Sequence, residues 1–209
     1  MAKTSFDSHL LYEYDEGQRM QHGVSLLCGV DEAGRGPLCG PVSIGAVVLN
    51  PQNPVEGIND SKKLSEKKRE ELYPQIVEKA LAWQVVLVPP EEIDRINILQ
   101  AVLVGMQRAV LALAPQPQLV LVDGNTAPAL GGLPSLTVTK GDATSASIAA
   151  ASILAKVTRD RFMEELDKEY PQYRLAQHKG YPTKLHYELL QQYGVQSFYR
   201  RSYLKKRGL

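Results

Sequence analysis

The hydrophobic positions fall into two kinds of block. Residues 24–30 form a mostly apolar run of strand length, and residues 41–49 resume as a β-branched run. Between them lies the polar, glycine-rich stretch Asp31-Glu32-Ala33-Gly34-Arg35-Gly36-Pro37. Residues 51–60, with two prolines and Gly57, read as a turn-rich crossing. Ser65 is placed to cap a charged helix over 66–80, without a capping box because Lys68 holds the third position. Residues 83–88 form a strand stopped by Pro89-Pro90. From 91 to 114, acidic residues in the first turn precede apolar residues at helical spacing, so one helix is expected. Short apolar strands follow at 119–122, ending at Asp123-Gly124, and at 136–139, ending near Asp142. A long helix over 143–166, small and apolar in its first half, is suited to close packing on a sheet. A last helix spans about 184–193, after the break at Gly180-Tyr181-Pro182. Hairpin and βαβ order together predict an α/β fold: a mixed sheet flanked by helices, with a small C-terminal helical extension. The expected divisions are an N-terminal arm or short helix over 1–23, a main unit over 24–170 and a helical, basic extension over 171–209.

Composition narrows the class. Of 209 residues, 44% are hydrophobic and 22% charged, the balance of an ordinary globular protein. No apolar run approaches the roughly 20 residues of a membrane span, and the N-terminus lacks a signal-peptide pattern. Cys28 and Cys39 are too few for a disulfide framework or a four-thiolate zinc site and sit in apolar runs, so inert core thiols in a reduced, cytoplasmic setting are expected. The net charge of +1 argues against a strongly basic nucleic-acid binder until it is divided by segment. Residues 1–60 carry 3 basic and 8 acidic side chains, 61–155 carry 9 of each, and 156–209 carry 12 basic and 6 acidic. Neutrality is thus a cancellation between an acidic N-terminal part and a basic C-terminal part. The latter reads either as a solvated helix face and tail or as a phosphate-facing surface.

Four acids stand out by position. Asp31 and Glu32 follow the first strand, Asp123 ends another, and Asp142 lies between a strand and the long helix. Strand ends in α/β sheets share a crevice, and carboxylates gathered there repel one another unless a cation offsets the charge. An all-oxygen set favours Mg²⁺ or Mn²⁺ over zinc, and two such ions suit phosphodiester hydrolysis. Adjacent strand residues point to opposite faces, so Asp31 and Glu32 are expected to share a site only if the strand ends or bulges there. Each acid also has a structural reading. Asp123-Gly124 is a turn dipeptide, Asp142 could be a helix cap in competition with Thr144 and Ser145, and a loop pair such as Asp31-Glu32 is often simply solvated. Glycines on both sides of Arg35 add the means for a backbone to approach a ligand closely.

The stretch from Gly29 to Pro37, GVDEAGRGP, resembles the signature of bacterial ribonuclease HII, the type 2 ribonuclease H family. The resemblance continues through NDSKKLS at 59–65, VDGN at 122–125, KGDA at 140–143, SASIAAASILAKVTRD at 145–160 and HKGYPT at 178–183. It covers roughly residues 25–190. It implies an RNase H-like fold and an endonuclease that cuts RNA in RNA–DNA duplexes, including on the 5′ side of a single ribonucleotide embedded in DNA, leaving 3′-hydroxyl and 5′-phosphate ends. By the same resemblance Asp31, Glu32, Asp123 and Asp142 hold two Mg²⁺ or Mn²⁺ ions, with Asp31 the bridge. Gly34, Arg35 and Gly36 match the loop that reads the ribose 2′-hydroxyl. Tyr181 matches the tyrosine packed on the sugar at the RNA–DNA junction, and Lys62, Ser145 and Ser147 fall in blocks expected to touch phosphates. On the residues alone Tyr181 would be a packing residue, and His178 a helix-end or hydrogen-bonding histidine. The C-terminal stretch FYRRSYLKK at 198–206 departs from the family pattern, with tyrosine where histidine and phenylalanine stand. Gln196 with Tyr199 and Tyr203 only loosely matches a sliding-clamp motif. A monomer is expected. The competing class is a non-catalytic hybrid-binding module.

Overall fold

The computed structural model describes residues 8–205. Its centre is a five-stranded sheet of β1 (Leu27–Ala33), β2 (Val42–Val48), β3 (Ala82–Val88), β4 (Leu119–Asp123) and β5 (Ser135–Val138), in the order β3-β2-β1-β4-β5. The β1, β2 and β3 strands pair antiparallel, whereas β4 and β5 run parallel to β1. This is the mixed sheet that the alternation of hairpin and crossover segments predicts.

Helices cover both faces. On one lie α1 (His9–His22), α2 (Glu66–Lys79) and α5 (Ala146–Glu169); on the other lie α3 (Pro90–Ile96) and α4 (Ile98–Leu111). The small residues of α5 allow close contact: a Cβ added at Gly29 would overlap the Ser147 backbone, and one at Gly45 would overlap that of Ala151. Even-numbered Cys28 and Val30 pack with Val102 and Met106 of α4. Odd-numbered Gly29 faces α5, so β1 alternates between the two helical layers.

Two helix predictions are corrected. The helix expected over 91–114 is broken at Asn97, whose φ of 67° interrupts the turn. Its side chain then caps α4 by accepting from the Gln100 N–H at 3.1 Å. Asparagine tolerates positive φ better than most residues, so the apolar periodicity runs through a break it cannot report. The long helix begins at Ala146 rather than 143, because Gly141–Ala143 form a 3₁₀ turn and Ser145 is the N-cap, accepting from Ile148 N–H. The competition for that cap therefore goes to Ser145, not Asp142.

The C-terminal extension contains α6 (Leu175–His178), α7 (Lys184–Tyr193) and α8 (Arg201–Lys205). Leu38 and Cys39, just beyond β1, pack with Tyr173, Leu190, Phe198, Tyr199 and other apolar residues of this part. Cys28 and Cys39 are both buried free thiols, with burial pushing each up to about 12. Among the described residues no helix is long and apolar enough to cross a membrane.

Candidate active site

The β1–β4 ladder ends at the pair Val30–Val122, while β1 continues against β2 as far as Ala33 and β4 ends at Asp123. Past that last pair the two strands separate. β1 carries Asp31 toward α5 and Glu32 toward α4, with the Asp123 carboxylate between the layers. The expectation that the strand must end or bulge at Asp31 is thus corrected: β1 stays regular to Ala33, its ladder with β4 ends at Val30–Val122, and Asp31, Glu32 and Asp123 line one cleft all the same. The 3₁₀ turn after β5 supplies Asp142, and the Gly141 N–H donates to Asp123 Oδ1 at 2.6 Å, fastening the two acidic segments together.

These acids feel one another. Asp31 is 4% exposed, and burial pushes its pKa well up, reinforced by the negative charges of Glu32, Asp123 and Asp142. Burial also raises Glu32, against the opposing pull of Arg35, whose guanidinium lies 3.3 Å away. Burial and Asp142 raise Asp123. Lys62 Nζ reaches Asp142 Oδ2 at 3.0 Å from a side chain that is 78% exposed, so it bridges the acidic centre and solvent. Among the described residues no three His, Cys, Asp or Glu side chains form a ready-made metal cage. The chemistry nevertheless fits a hard divalent cation: the donors are all oxygens, and the like charges crowded around buried Asp31 are offset in part by Lys62, Arg35 and backbone N–H groups.

A cleft of about 250 Å³ opens over this centre. Asp31, Glu32, Asp123, Lys62, Tyr181 and the Gly-Arg-Gly loop at 34–36 line it, together with Ser61 and Lys156. Tyr181 is 41% exposed, with its ring beside Gly36. Gly34 has a φ of +97°, and a Cβ there would collide with the Arg159 side chain, so no larger residue fits. A second hollow on the α4 side shares Glu32, Arg35 and Asp123 and continues over Leu99, Asn125 and Thr126.

Three predicted residues do not line this cleft: Asp142, which meets it through Lys62, and two serines. Ser145 and Ser147 are fully buried and turned toward α1, where both hydroxyls and the Ser147 N–H donate to the Asp15 carboxylate. The start of α5, which read as a phosphate site, is occupied by the protein's own anion. The basic C-terminal part is also corrected in two places. Arg159 and Arg200 do not face outward but are buried, donating to main-chain carbonyls. Lys206 and Arg207 of the expected basic tail lie outside the described residues. Nor are the clamp-motif tyrosines free: Tyr199 is buried against His186 and Tyr203 donates to the Arg35 carbonyl. His178 ends α6 and bonds the Tyr173 carbonyl and the Gly180 N–H, the hydrogen-bonding role its position suggested.

Sequence reasoning passed over Lys156, Arg159, Arg200 and Asp15. The first lies in a helix otherwise read as core, where a lone lysine one turn before Asp160 was the available signal; the two pair at 2.7 Å.

Comparison with known proteins agrees with this architecture. The family model described as Ribonuclease HII matches residues 28–206. Ribonuclease HII of Vibrio parahaemolyticus is 57% identical over 192 residues, covering 92% of this chain and 88% of the relative. The crystal structure of ribonuclease H2 from Pyrococcus horikoshii superposes with a TM-score of 0.71 at 32% identity, covering 85% of this chain and 93% of that one. A PCNA:RNase HII complex from Archaeoglobus fulgidus contains a chain with a TM-score of 0.73 at 26% identity, covering 84% and 94%.

Proposed function

This chain belongs to the ribonuclease HII family of metal-dependent endonucleases, and from that premise we propose that it hydrolyses RNA within RNA–DNA duplexes, cutting on the 5′ side of single ribonucleotides embedded in DNA. The observation that carries this reading is the meeting of Asp31, Glu32 and Asp123 with the Gly-Arg-Gly loop and Tyr181 around one cleft, with Asp142 joined to it through Lys62. Asp31, Glu32, Asp123 and Asp142 would hold two Mg²⁺ or Mn²⁺ ions, which when bound would supply an activated water and charge stabilisation for the departing 3′-oxygen. Hydrolysis breaks the bond between phosphorus and the 3′-oxygen of the preceding nucleotide, leaving a 3′-hydroxyl and a 5′-phosphate.

The chain's own residues orient the substrate. The loop of Gly34, Arg35 and Gly36 offers main-chain groups to the ribose 2′-hydroxyl, the atom that separates RNA from DNA. The exposed Tyr181 ring, beside Gly36 of the same loop, stacks on the sugar that follows. Lys62 and Lys156, whose Nζ atoms pair with Asp142 and Asp160, can contact the phosphate backbone and fix register without reading sequence. We expect the protein to act as a monomer. The PCNA complex of the Archaeoglobus relative supports a sliding-clamp partner here too, though not through Tyr199 and Tyr203, which are committed to contacts within the chain.

A non-catalytic hybrid-binding module is disfavoured because four converging acids would repel phosphates from the centre of the surface meant to hold them. Cleavage of a duplex with one embedded ribonucleotide, with and without Mg²⁺, tests the proposal. Cleavage is expected only with the ion, and Asp31→Asn should abolish it while the variant remains folded. Full activity in Asp31→Asn would sink the assignment.

A further inference from the structure

Beneath the loop at 34–36 lies a fully buried arginine from the far end of the chain. Arg200 is 0% exposed and has no carboxylate partner among the described residues. All three of its donor nitrogens go to main-chain carbonyls of one segment: Nη2 to Gly34 at 2.7 Å, Nη1 to Arg35 at 3.0 Å and Nε to Gly40 at 3.0 Å. Tyr203 Oη donates to the same Arg35 carbonyl at 2.8 Å, and the Arg200 guanidinium lies 5.2 Å from the Tyr203 ring centre. The backbone around Arg200 is itself tied in, through Arg200 N–H to Leu38 O and Gly40 N–H to Phe198 O.

A trans peptide holds its C=O and N–H on opposite sides of one plane. Drawing the Gly34 and Arg35 carbonyls down onto Arg200 therefore turns the N–H groups of Arg35 and Gly36 away from it. Neither amide has a hydrogen-bond partner among the described residues, and both residues line the cleft. A buried guanidinium is costly unless its donors are satisfied. Here they are satisfied only while the loop keeps these two peptide planes as they stand, so the C-terminal segment and the loop hold one conformation together.

We infer that Arg200, assisted by Tyr203, is a positioning residue for ribose discrimination: it fixes the peptide planes at Gly34 and Arg35 so that the following amides point at the sugar. The inference rests on the proposed reading that this loop senses the 2′-hydroxyl. It gives the divergent C-terminal segment a role in specificity rather than in phosphate binding.

The test measures metal-free binding, in EDTA, of two duplexes that differ only in one ribonucleotide, using wild type, Arg200→Lys and Tyr203→Phe. Lysine keeps the charge but cannot hold two carbonyls with a rigid fork. Phenylalanine keeps the ring and removes one hydroxyl, so this variant is available even if Arg200→Lys folds poorly. Wild type should prefer the ribonucleotide duplex. Arg200→Lys should cut that preference about tenfold and Tyr203→Phe about threefold, with all-DNA affinity per folded molecule unchanged. A merely structural role would scale both affinities with the folded fraction and leave their ratio at the wild-type value in both variants. That unchanged ratio would overturn the inference while leaving the proposed function in place. Absence of any preference in wild type would instead overturn the reading of the loop, and this inference with it.

Discussion

Replacing Asp15 with alanine tests whether the start of α5 is a structural joint or a phosphate site. Asp15 is almost fully buried and accepts from Ser145 Oγ at 2.5 Å, Ser147 N at 2.8 Å and Ser147 Oγ at 2.7 Å. Asp15→Ala leaves the fixed Ser147 N–H facing a void. The Ser145 hydroxyl still caps Ile148, and the Ser147 hydroxyl can rotate. One stranded N–H and one or two weakened hydroxyls cost on the order of 1–3 kcal/mol each. Against this, burial pushes the Asp15 carboxyl up in spite of its three donors, so losing its desolvation cost offsets part of the damage. A net loss of about 2–4 kcal/mol is expected, which for a chain of this size lowers Tm by roughly 5–15 °C. Asp15→Asn keeps the shape and one acceptor oxygen and should lose about half as much. Thermal and urea unfolding of the three proteins measure this, with duplex binding of Ser147→Ala alongside. The reasoning fails if Asp15→Ala falls within about 0.5 kcal/mol of wild type. It fails equally if Ser147→Ala weakens duplex binding without lowering Tm, since that is the signature of a phosphate contact.

In EDTA, Asp31→Asn should melt a few degrees above wild type, because it removes the most buried of four mutually repelling acids; an unchanged or lower Tm would contradict the crowding. His186 is buried against the Tyr181 carbonyl and the Tyr199 hydroxyl, and desolvation first, together with its stacked neighbour His178, depresses its pKa to about 4. The folded state thus prefers the neutral ring. Its contribution is fully present above about pH 6.5 and is lost as pH falls toward 4, about 3 kcal/mol across that window. Urea unfolding at pH 7 and 4.5 should show a smaller loss in His186→Asn than in wild type. Gly29→Ala places a methyl in the backbone of Ser147 and Ile148, where no side chain can yield. A loss at or beyond the upper end of about 1–3 kcal/mol is expected, read as a Tm drop or insoluble expression.

The sequence by itself determined much of this protein. Strand and helix placement followed from apolar periodicity and from breakers such as Pro89-Pro90 and Gly180-Tyr181-Pro182. The acids could be singled out because each lies at or beside the end of a strand, a local property that neighbouring residues reveal. The family resemblance was legible for the same reason, as contiguous blocks. Only the tertiary structure decided what the polar residues between those blocks do. Ser147 and Asp15 are separated by 132 positions, and Arg200 and Gly34 by 166. A serine beside a phosphate path and a serine holding a distant buried acid look alike in a linear chain. An arginine in a basic tail likewise looks like one lying beneath a loop. Whether a charge faces solvent depends on which segment folds over it, and that is settled by the packing of the whole sheet and its helices. The net charge of +1 carried the same ambiguity: the cancellation by segment was visible in the sequence, but some of the cations behind it are internal braces rather than a surface for phosphate.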